Sequence, residues 1–392
     1  MDFRFTQEQE TFQHELRDFF AQEMAPEKTE GHRDRTEMYG YDLAFERALR
    51  RKTGEQGYLG VAWPEEYGGQ GKGMFYQAIL GYEAAYAAAP AVDIGVSIVA
   101  APMMIFGTPE QKAFFLPKIL KGEVNFCLGY SEPGAGSDLA SLETRAEVDG
   151  DHFVLTGQKI FTTGAHKADY CWLAARTDPQ APKHKGISLI IVDMKSPGIT
   201  PRPLWTIAGW RHHEMFLDHV RVPKTNLIGE LHRGWYQVAT ALDFERSGFT
   251  AYGTAQRGLE RLVEYCKRHW RDGRPLSKDP LVRAKLAQVA IDISVGLRFT
   301  KRVAWMQAAG QVPNHEASVN KVWGTELLRR LSDDGTKILG LYGGLEPDSP
   351  YAPLDGWFPY EYQHSVAGTI GAGSNEIQRN VIAQRGLGMP RG

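Results

Sequence analysis

The pattern of hydrophobic and polar positions changes character twice along the chain. Over residues 6–122 apolar side chains recur at three- and four-residue steps, which is typical of amphipathic helices. Phe12, Leu16 and Phe20 show this spacing in the first predicted helix. Thr108-Pro109 predicts another helix start, because threonine caps helices well and proline fits the first helical position. This stretch is therefore predicted to be helical.

Between residues 123 and 228 short apolar runs alternate with glycine and charged residues. The runs at 170–174 and 187–192 have the length of β-strands. Residues 144–148 alternate in polarity and lead into the turn Asp149-Gly150-Asp151, which indicates a hairpin. The middle stretch is therefore predicted to be antiparallel β-structure.

The helical period returns after residue 228 and continues to the end of the chain. Long periodic segments predict helices over about 236–270, 280–307 and 316–331. The chain has no internal repeat and no flexible linker, so its parts should pack tightly. We predict an α+β fold with an N-terminal all-α domain (1–122), a middle β-barrel or sandwich (123–228) and a C-terminal four-helix bundle (229–392).

The composition excludes several classes of protein. A chain of 392 residues with 42% hydrophobic residues can build a large core and two or three domains. A net charge of −2 gives no electrostatic reason to bind nucleic acid or an anionic membrane. Its 42 glycines and 21 prolines are too few for a disordered or fibrous protein.

Cysteines and hydrophobic runs narrow the choice further. The three cysteines, Cys127, Cys171 and Cys266, are too widely spaced for a disulfide framework or a CxxC metal pair. No apolar run reaches the ~18 residues of a membrane span. The first seven residues lack the basic and apolar regions of a secretory signal. We therefore predict a soluble, cytoplasmic protein without a metal site.

One glycine-rich segment is the strongest candidate for chemistry. Residues 129–138 read Gly-Tyr-Ser-Glu-Pro-Gly-Ala-Gly-Ser-Asp and follow a predicted strand. Glycines let a ligand approach the backbone closely, and hydroxyl and N–H groups supply hydrogen-bond donors. A lone turn of this kind is more often a simple tight turn.

Two further segments change that balance. Residues 157–164 place an aromatic residue and two threonines on a strand, and residues 370–379 form a glycine-rich turn that leads into a helix. The start of such a helix offers free N–H groups to a phosphate or carbonyl oxygen. Each segment alone is weak evidence.

Together and in this order, the three segments resemble the acyl-CoA dehydrogenase family of flavoproteins. The loop at 63–69 (Trp-Pro-Glu-Glu-Tyr-Gly-Gly) and the exit Arg221-Val222-Pro223 extend the resemblance. It implies the fold of that family, tightly bound FAD and oxidation of an acyl-CoA to a trans-2-enoyl-CoA. It also implies electron-transfer flavoprotein or a similar acceptor, and a place in fatty acid or steroid catabolism.

Carried over by motif, the resemblance implies contacts with FAD from Tyr130, Ser131, Gly136, Ser137, Phe161, Thr163, Ser374 and Glu376. Tyr130 and Ser131 would meet the pyrimidine edge of the flavin, and Ser137 the pyrophosphate. Phe161 stands where the family usually has Trp, and Thr163 where a Thr bonds the N5 region. Ser374 and Glu376 match positions that contact the ADP half.

The usual position of the family's catalytic glutamate is occupied by Ala372, and Glu376 lies out of phase. A minority of members place the base on the long helix after the β-domain, where Glu245 is the matching residue. The alternative for Glu245 is a surface glutamate paired with a helix arginine. The resemblance also assigns the Ala372 backbone N–H to the thioester carbonyl.

Neighbouring positions bear on the substrate. Asp243 and Arg246 are expected near the CoA chain or as groups that orient the base. Gly371 and Ala372 replace a bulky pair, which should widen the pocket at the reacting carbons. We therefore predict a branched, cyclic or polycyclic acyl group.

Two family positions that reach a neighbouring subunit's FAD are altered: His269 replaces an arginine and Lys337 a glutamine. One interpretation is drift within a homodimer or homotetramer, with Arg268 or Arg271 compensating. The other is a subunit that cannot complete its partner's site, as in the α2β2 dehydrogenases of steroid side-chain degradation. A non-catalytic FAD-binding subunit, and a nitroalkane oxidase or monooxygenase on the same fold, remain alternatives.

Overall fold

The computed structural model describes residues 4–34, 40–238 and 250–390. Its main helices are α1 (Gln7–Glu23), α2 (Leu43–Glu55), α3 (Met74–Tyr86), α4 (Ala100–Phe106), α5 (Pro109–Leu120), α6 (Thr250–Arg268), α7 (Pro280–Ala308), α8 (His315–Leu339), α9 (Trp357–Ile370) and α10 (Asn375–Val381). Its main strands are β1 (Phe126–Gly129), β2 (Arg145–Asp149), β3 (His152–Lys159), β4 (Tyr170–Arg176), β5 (Ile187–Asp193), β6 (Ile199–Trp205), β7 (Arg211–Pro223) and β8 (Leu227–Ile228).

The chain forms two compact units, and each combines segments that are distant in sequence. One, the bundle unit, contains Met1–Gly40, Lys72–Ala89 and Arg246–Gly392. The other, the sheet unit, contains Tyr41–Gly71 and Pro90–Glu245. Each has a hydrophobic core of its own, so each is described by itself.

The sheet unit is built on eight strands in the order β8-β5-β4-β2-β3-β7-β6, with β1 pairing in parallel with β4. The neighbours β4–β5, β3–β7 and β6–β7 are antiparallel. One core cluster includes Trp172, Leu189 and Ile191 of the sheet together with Phe115 of α5. Strands β1 and β3 belong to the same sheet, and the candidate site lies at their ends.

The bundle unit packs long helices around aromatic residues. Tyr252 of α6, Leu331 of α8 and Phe358 of α9 are almost fully buried in one cluster. Gly296 lies against Tyr252 and Gly335 against Phe358 so closely that an added Cβ would overlap each ring. Tight helix packing therefore depends on glycine at these two contacts.

The predicted α+β fold with helical, β and helical parts is confirmed. Thr108 is the N-cap of α5, as Thr-Pro predicted, and it also forms a capping box with Gln111. The predicted helix over 236–270 ends at Arg268, because Trp270-Arg271 pairs with Arg274-Pro275 as a short hairpin. The hydrophobic period of the sequence did not predict α9. The domain limits at 122 and 228 stay a prediction.

Among the described helices, none has both the length and the apolar character needed to cross a membrane.

Candidate active site

Two strand ends bring the first two candidate motifs together in the sheet unit. The Ser131 carbonyl, just beyond β1, accepts a hydrogen bond from Ile160 N–H at 2.9 Å. The Tyr130 carbonyl accepts one from Lys159 Nζ, at the end of β3, at 3.2 Å. Tyr130 and Ser131 are therefore adjacent to the segment that leads into Phe161.

A buried ion pair anchors the loop that carries Ser137. Lys159 is fully buried and its Nζ lies 2.7 Å from Glu132 Oε1. The Glu132 carboxylate also accepts the N–H groups of Glu143 and Thr144 at 2.6 and 2.9 Å. One carboxylate thus holds both ends of the loop 132–144.

Burial and charge act in opposite directions on this pair. Burial pushes the pKa of Glu132 up, but the Lys159 charge and the hydrogen bonds outweigh it and leave that pKa below its ordinary value. Burial lowers the pKa of Lys159, against the attraction of Glu132. The pair is stable as an ion pair only while both partners are present.

Phe161 has a strained backbone conformation. Its φ of 57° lies in the left-handed region, which is rare for an aromatic residue and carries strain. Its side chain is 59% exposed. The ring meets the His212 ring edge to face, with centroids 6.1 Å apart. The backbone therefore holds a large apolar ring at the surface beside a polar group.

Thr163 also contacts His212. Its hydroxyl lies 2.8 Å from Nδ1 of His212, which belongs to β7. Between Phe161 and Thr163, Thr162 is buried and donates its N–H to the His213 carbonyl at 3.0 Å. The structure thus brings the two predicted positions, Phe161 and Thr163, together around His212.

A pair of histidines, His213 and His166, follows from the next residue of the strand. His213 is buried and stacks on His166, with ring centroids 4.7 Å apart. Burial lowers the pKa of His213, although the hydrogen bond to the Thr162 carbonyl opposes this effect. Arg211 Nη2 lies 2.6 Å from His166 Nε2, so that nitrogen is an acceptor. The sequence prediction did not include these histidines. The adjacent pair His212-His213 was the available signal, because neighbouring residues of a strand face opposite sides of the sheet.

The third motif lies in the bundle unit, at the turn between α9 and α10. Ala372 and Gly373 follow each other in the left-handed region, with φ values of 54° and 83°. The Ala372 N–H donates to no residue in the described part of the chain. Ser374 caps α10 by accepting the Ile377 N–H at 3.4 Å. The turn thus presents the Ala372 N–H on a strained backbone, without an acceptor in the described part of the chain.

Two buried amides fix this turn to α8. Asn375 accepts from Lys321 Nζ at 2.8 Å. Gln378 accepts from the Ser318 hydroxyl at 2.8 Å and donates to the Gly373 carbonyl at 3.3 Å. Burial makes an unpaired amide costly, so both side chains hold the turn in one conformation.

Glu376 has the properties of a structural carboxylate. It is exposed at the start of α10. Hydrogen bonds from its own backbone N–H and from the Ser374 hydroxyl hold the pKa of Glu376 below its ordinary value. A general base works best with a pKa near the working pH, so this environment does not favour Glu376 as the base.

The remaining predicted residues of the catalytic region, Glu245, Asp243 and Arg246, lie outside the described residues.

Comparison with known proteins decides the family. The models for the N-terminal, middle and C-terminal domains of acyl-CoA dehydrogenase match residues 6–123, 127–220 and 232–387. The chain belongs to the acyl-CoA dehydrogenase family. Family membership makes it an oxidoreductase, and members of this family use FAD.

Individual relatives cover the whole chain. It is 39% identical to the acyl-CoA dehydrogenase FadE29 of Mycobacterium tuberculosis, over 98% of each chain. Among solved structures it is similar to the Tcur3481-Tcur3483 steroid ACAD, at a TM-score of 0.91 and 36% identity over 100% of both chains. It is about as similar to the ChsE4-ChsE5 complex of Mycobacterium tuberculosis, at 0.90 and 36% over 100% of both.

The residues of the sheet unit fit the flavin that this family uses. Gly134 and Gly136 have no positive φ, and an added Cβ would meet no atom within 4 Å at either position. The fold itself therefore does not require glycine there, whereas a ligand that approaches the backbone closely would. The hydroxyls of Ser131 and Ser137 and the exposed ring of Phe161 complete a donor and stacking set suited to FAD.

The two altered family positions are engaged inside the bundle unit. His269 stacks on Tyr265 at 3.7 Å and its Nδ1 lies 2.9 Å from the Tyr265 carbonyl oxygen. Lys337 pairs with Asp333 at 2.6 Å. The two arginines that could compensate are also engaged: Arg268 pairs with Glu264 at 2.8 Å, and Arg271 donates to the Ile338 carbonyl at 2.6 Å.

Proposed function

We propose that this chain binds FAD and oxidises an acyl-CoA thioester with a branched, cyclic or polycyclic acyl group to the trans-2-enoyl-CoA. The observation that carries the FAD proposal is the exposed ring of Phe161, held by a strained backbone, with the Thr163 hydroxyl on the same His212. Those are the residue types that the family resemblance assigns to the flavin face and the N5 region.

The proposal of a bulky acyl group rests on Gly371 and Ala372. Neither has a side chain larger than a methyl group, and an added Cβ at Gly371 would meet only the Ala367 carbonyl, at 3.5 Å. One of the similar solved structures is a steroid ACAD. Both facts favour a substrate that is wide near its reacting carbons.

Bound FAD supplies the acceptor for the two electrons and the β-hydrogen of the acyl chain. We assign the removal of the α-proton to the Glu245 carboxylate, which bonds that proton as the C–H bond breaks. We assign the Ala372 N–H to the thioester oxygen, where it stabilises the negative charge that develops.

We further propose that the chain works in a hetero-oligomer with a sister subunit. His269 and Lys337 lack the side chains that reach a neighbour's FAD in the family, and Arg271 is used within its own unit. Trp270 and Leu341, next to these positions, are 67% and 98% exposed. Exposed apolar residues of this size favour a protein interface. A similar structure is itself a complex of two named subunits.

A panel of acyl-CoA thioesters, scored by anaerobic bleaching of the flavin, tests this function. We expect cyclic or polycyclic thioesters to bleach it fastest. If short straight chains are faster, the substrate proposal is wrong. If no thioester reduces bound flavin, the chain is a non-catalytic subunit. Stoichiometric peroxide or oxygen incorporation would instead indicate an oxidase or monooxygenase.

A further inference from the structure

Thr163 and His212 form a polar pair that the backbone fixes from both sides. Their Oγ1 and Nδ1 atoms are 2.8 Å apart. His212 lies in β7 opposite Leu204 of β6. Thr163 follows Thr162, whose N–H is bonded to the carbonyl of His213, the neighbour of His212. These backbone contacts hold the main chains of Thr163 and His212 close enough for their side chains to hydrogen-bond.

The direction of this hydrogen bond decides what Thr163 can offer a third atom. A threonine hydroxyl has one proton to donate, and a neutral imidazole carries its proton on one of its two nitrogens. If Nδ1–H of His212 donates to Thr163, the hydroxyl proton stays available for a ligand. If Nδ1 is unprotonated, it accepts a hydrogen bond from the Thr163 hydroxyl, and Thr163 can then only accept a hydrogen bond from a ligand.

We propose that His212 is a positioning residue that sets whether the Thr163 hydroxyl donates to the flavin or accepts from it. This inference rests on the proposed FAD function. N5 of an oxidised flavin has a lone pair and accepts a hydrogen bond, whereas N5 of the reduced flavin bears hydrogen and donates one. A hydrogen bond between Thr163 and His212 that can take either direction suits both the oxidised and the reduced flavin. Its preferred direction biases the reduction potential of the flavin.

The packing of Phe161 against His212 allows the hydrogen bond of His212 to be removed without removing the ring contact. The His212 ring meets the phenyl ring at an interplanar angle of 86°, so the two rings restrain each other edge to face. A change at His212 that keeps an aromatic ring should preserve this packing and remove only the hydrogen bond. His212→Phe is such a change. His212→Asn keeps an amide that can donate or accept near the position of Nδ1.

The test is the two-electron midpoint potential of the flavin in the purified holoenzyme, with the sister subunit where loading requires it. Loss of one hydrogen bond is worth about 1 kcal/mol. We therefore expect His212→Phe to change the equilibrium constant for flavin reduction about five- to tenfold, and tenfold is about 30 mV for two electrons. His212→Asn should stay within about twofold of wild type.

Thr163→Val and a remote histidine supply the controls. Because His212 acts through Thr163, adding His212→Phe to Thr163→Val should cause no further shift. His219→Asn, at an exposed position of the same strand, should leave the potential unchanged.

Three results would overturn the inference while leaving the proposed function intact: an unchanged potential in His212→Phe with FAD bound, a His212 effect that persists in Thr163→Val, or a His212→Asn potential displaced as far as that of Thr163→Val. If His212→Phe does not retain flavin, the comparison of His212→Asn with Thr163→Val tests the inference instead. A wild-type protein that binds no flavin even with a sister subunit overturns the proposed function itself.

Discussion

Glu132 and Lys159, 27 residues apart in sequence, form an ion pair of 2.7 Å in the interior of the sheet unit. Their side chains are 7% and 0% exposed. The pair joins the glycine-rich loop to the strand that leads to Phe161. It therefore acts on the candidate flavin site without facing it.

Removing either partner of this pair should destabilise the protein strongly. Glu132→Gln or Lys159→Met leaves an uncompensated buried group, which costs about 3–5 kcal/mol in comparable pairs. We expect each single variant to lower the free energy of unfolding by that order and to weaken FAD binding. Denaturant unfolding and flavin retention measure both effects. Single variants as stable as wild type would show that the loop is held by other contacts.

The base assignment predicts opposite behaviour for two glutamates. Glu245→Gln should keep FAD bound and lose most flavin reduction, because an amide cannot take the α-proton; general-base catalysis contributes ~10²–10⁴-fold. Glu376→Gln should alter FAD affinity more than the rate. Stopped-flow reduction with a substrate thioester separates the two. The assignment is wrong if Glu245→Gln keeps its rate while Glu376→Gln loses it with FAD bound.

Gly371→Tyr tests whether the small residues set substrate width. Gly371 has an ordinary φ of −64°, and an added Cβ meets only van der Waals contact, so the substitution suits the backbone. We expect at least tenfold slower flavin reduction by polycyclic thioesters, with short-chain thioesters little affected; tenfold corresponds to roughly 1.4 kcal/mol. A uniform loss for all thioesters would point to damage to the turn instead.

The assembly proposal predicts the stoichiometry of FAD. Losing an arginine–pyrophosphate contact costs roughly 1.5–3 kcal/mol, about tenfold or more in affinity. We expect the chain expressed alone to bind FAD loosely or below one per subunit. A sister subunit with the intact Arg-x-x-Phe-Gly turn should restore tight binding, with one FAD for every two chains of an α2β2 tetramer. A homotetramer with one FAD per subunit contradicts this and leaves Arg268 or Arg271 as the substitute.

Glu361 of α9 predicts a pH dependence of stability. Burial raises the pKa of Glu361 to about 8, against the opposing charge of Arg257. The folded state then holds a proton that the unfolded chain releases near its ordinary pKa of 4.5. This contribution is complete below pH 4.5 and is lost as pH rises through about 8.

Relative to Glu361→Gln, wild type should therefore lose stability over that pH interval, by a few kcal/mol at most, since each pKa unit is worth about 1.4 kcal/mol. Denaturant unfolding of both proteins at several pH values gives the difference. Parallel curves for the two proteins would mean that Glu361 ionises normally.

Local sequence patterns determined the features of this chain that depend on neighbours within a few residues. The capping box at Thr108, the hairpin at 149–151 and the period-2 strands follow from side chains at fixed spacing on one element. The order of helical, β and helical parts follows from the same periods. The three motifs predicted where a flavin would bind because they matched a family.

Only the tertiary structure decided which of these residues meet. Thr163 and His212 are 49 positions apart, and their hydrogen bond exists because β3 and β7 are neighbours in the sheet. Arg271, two positions after His269, donates to the Ile338 carbonyl at the end of α8, a contact between residues 67 positions apart. Helix and strand periods state which face a residue occupies, whereas pairing across the fold depends on packing between elements that are distant in sequence.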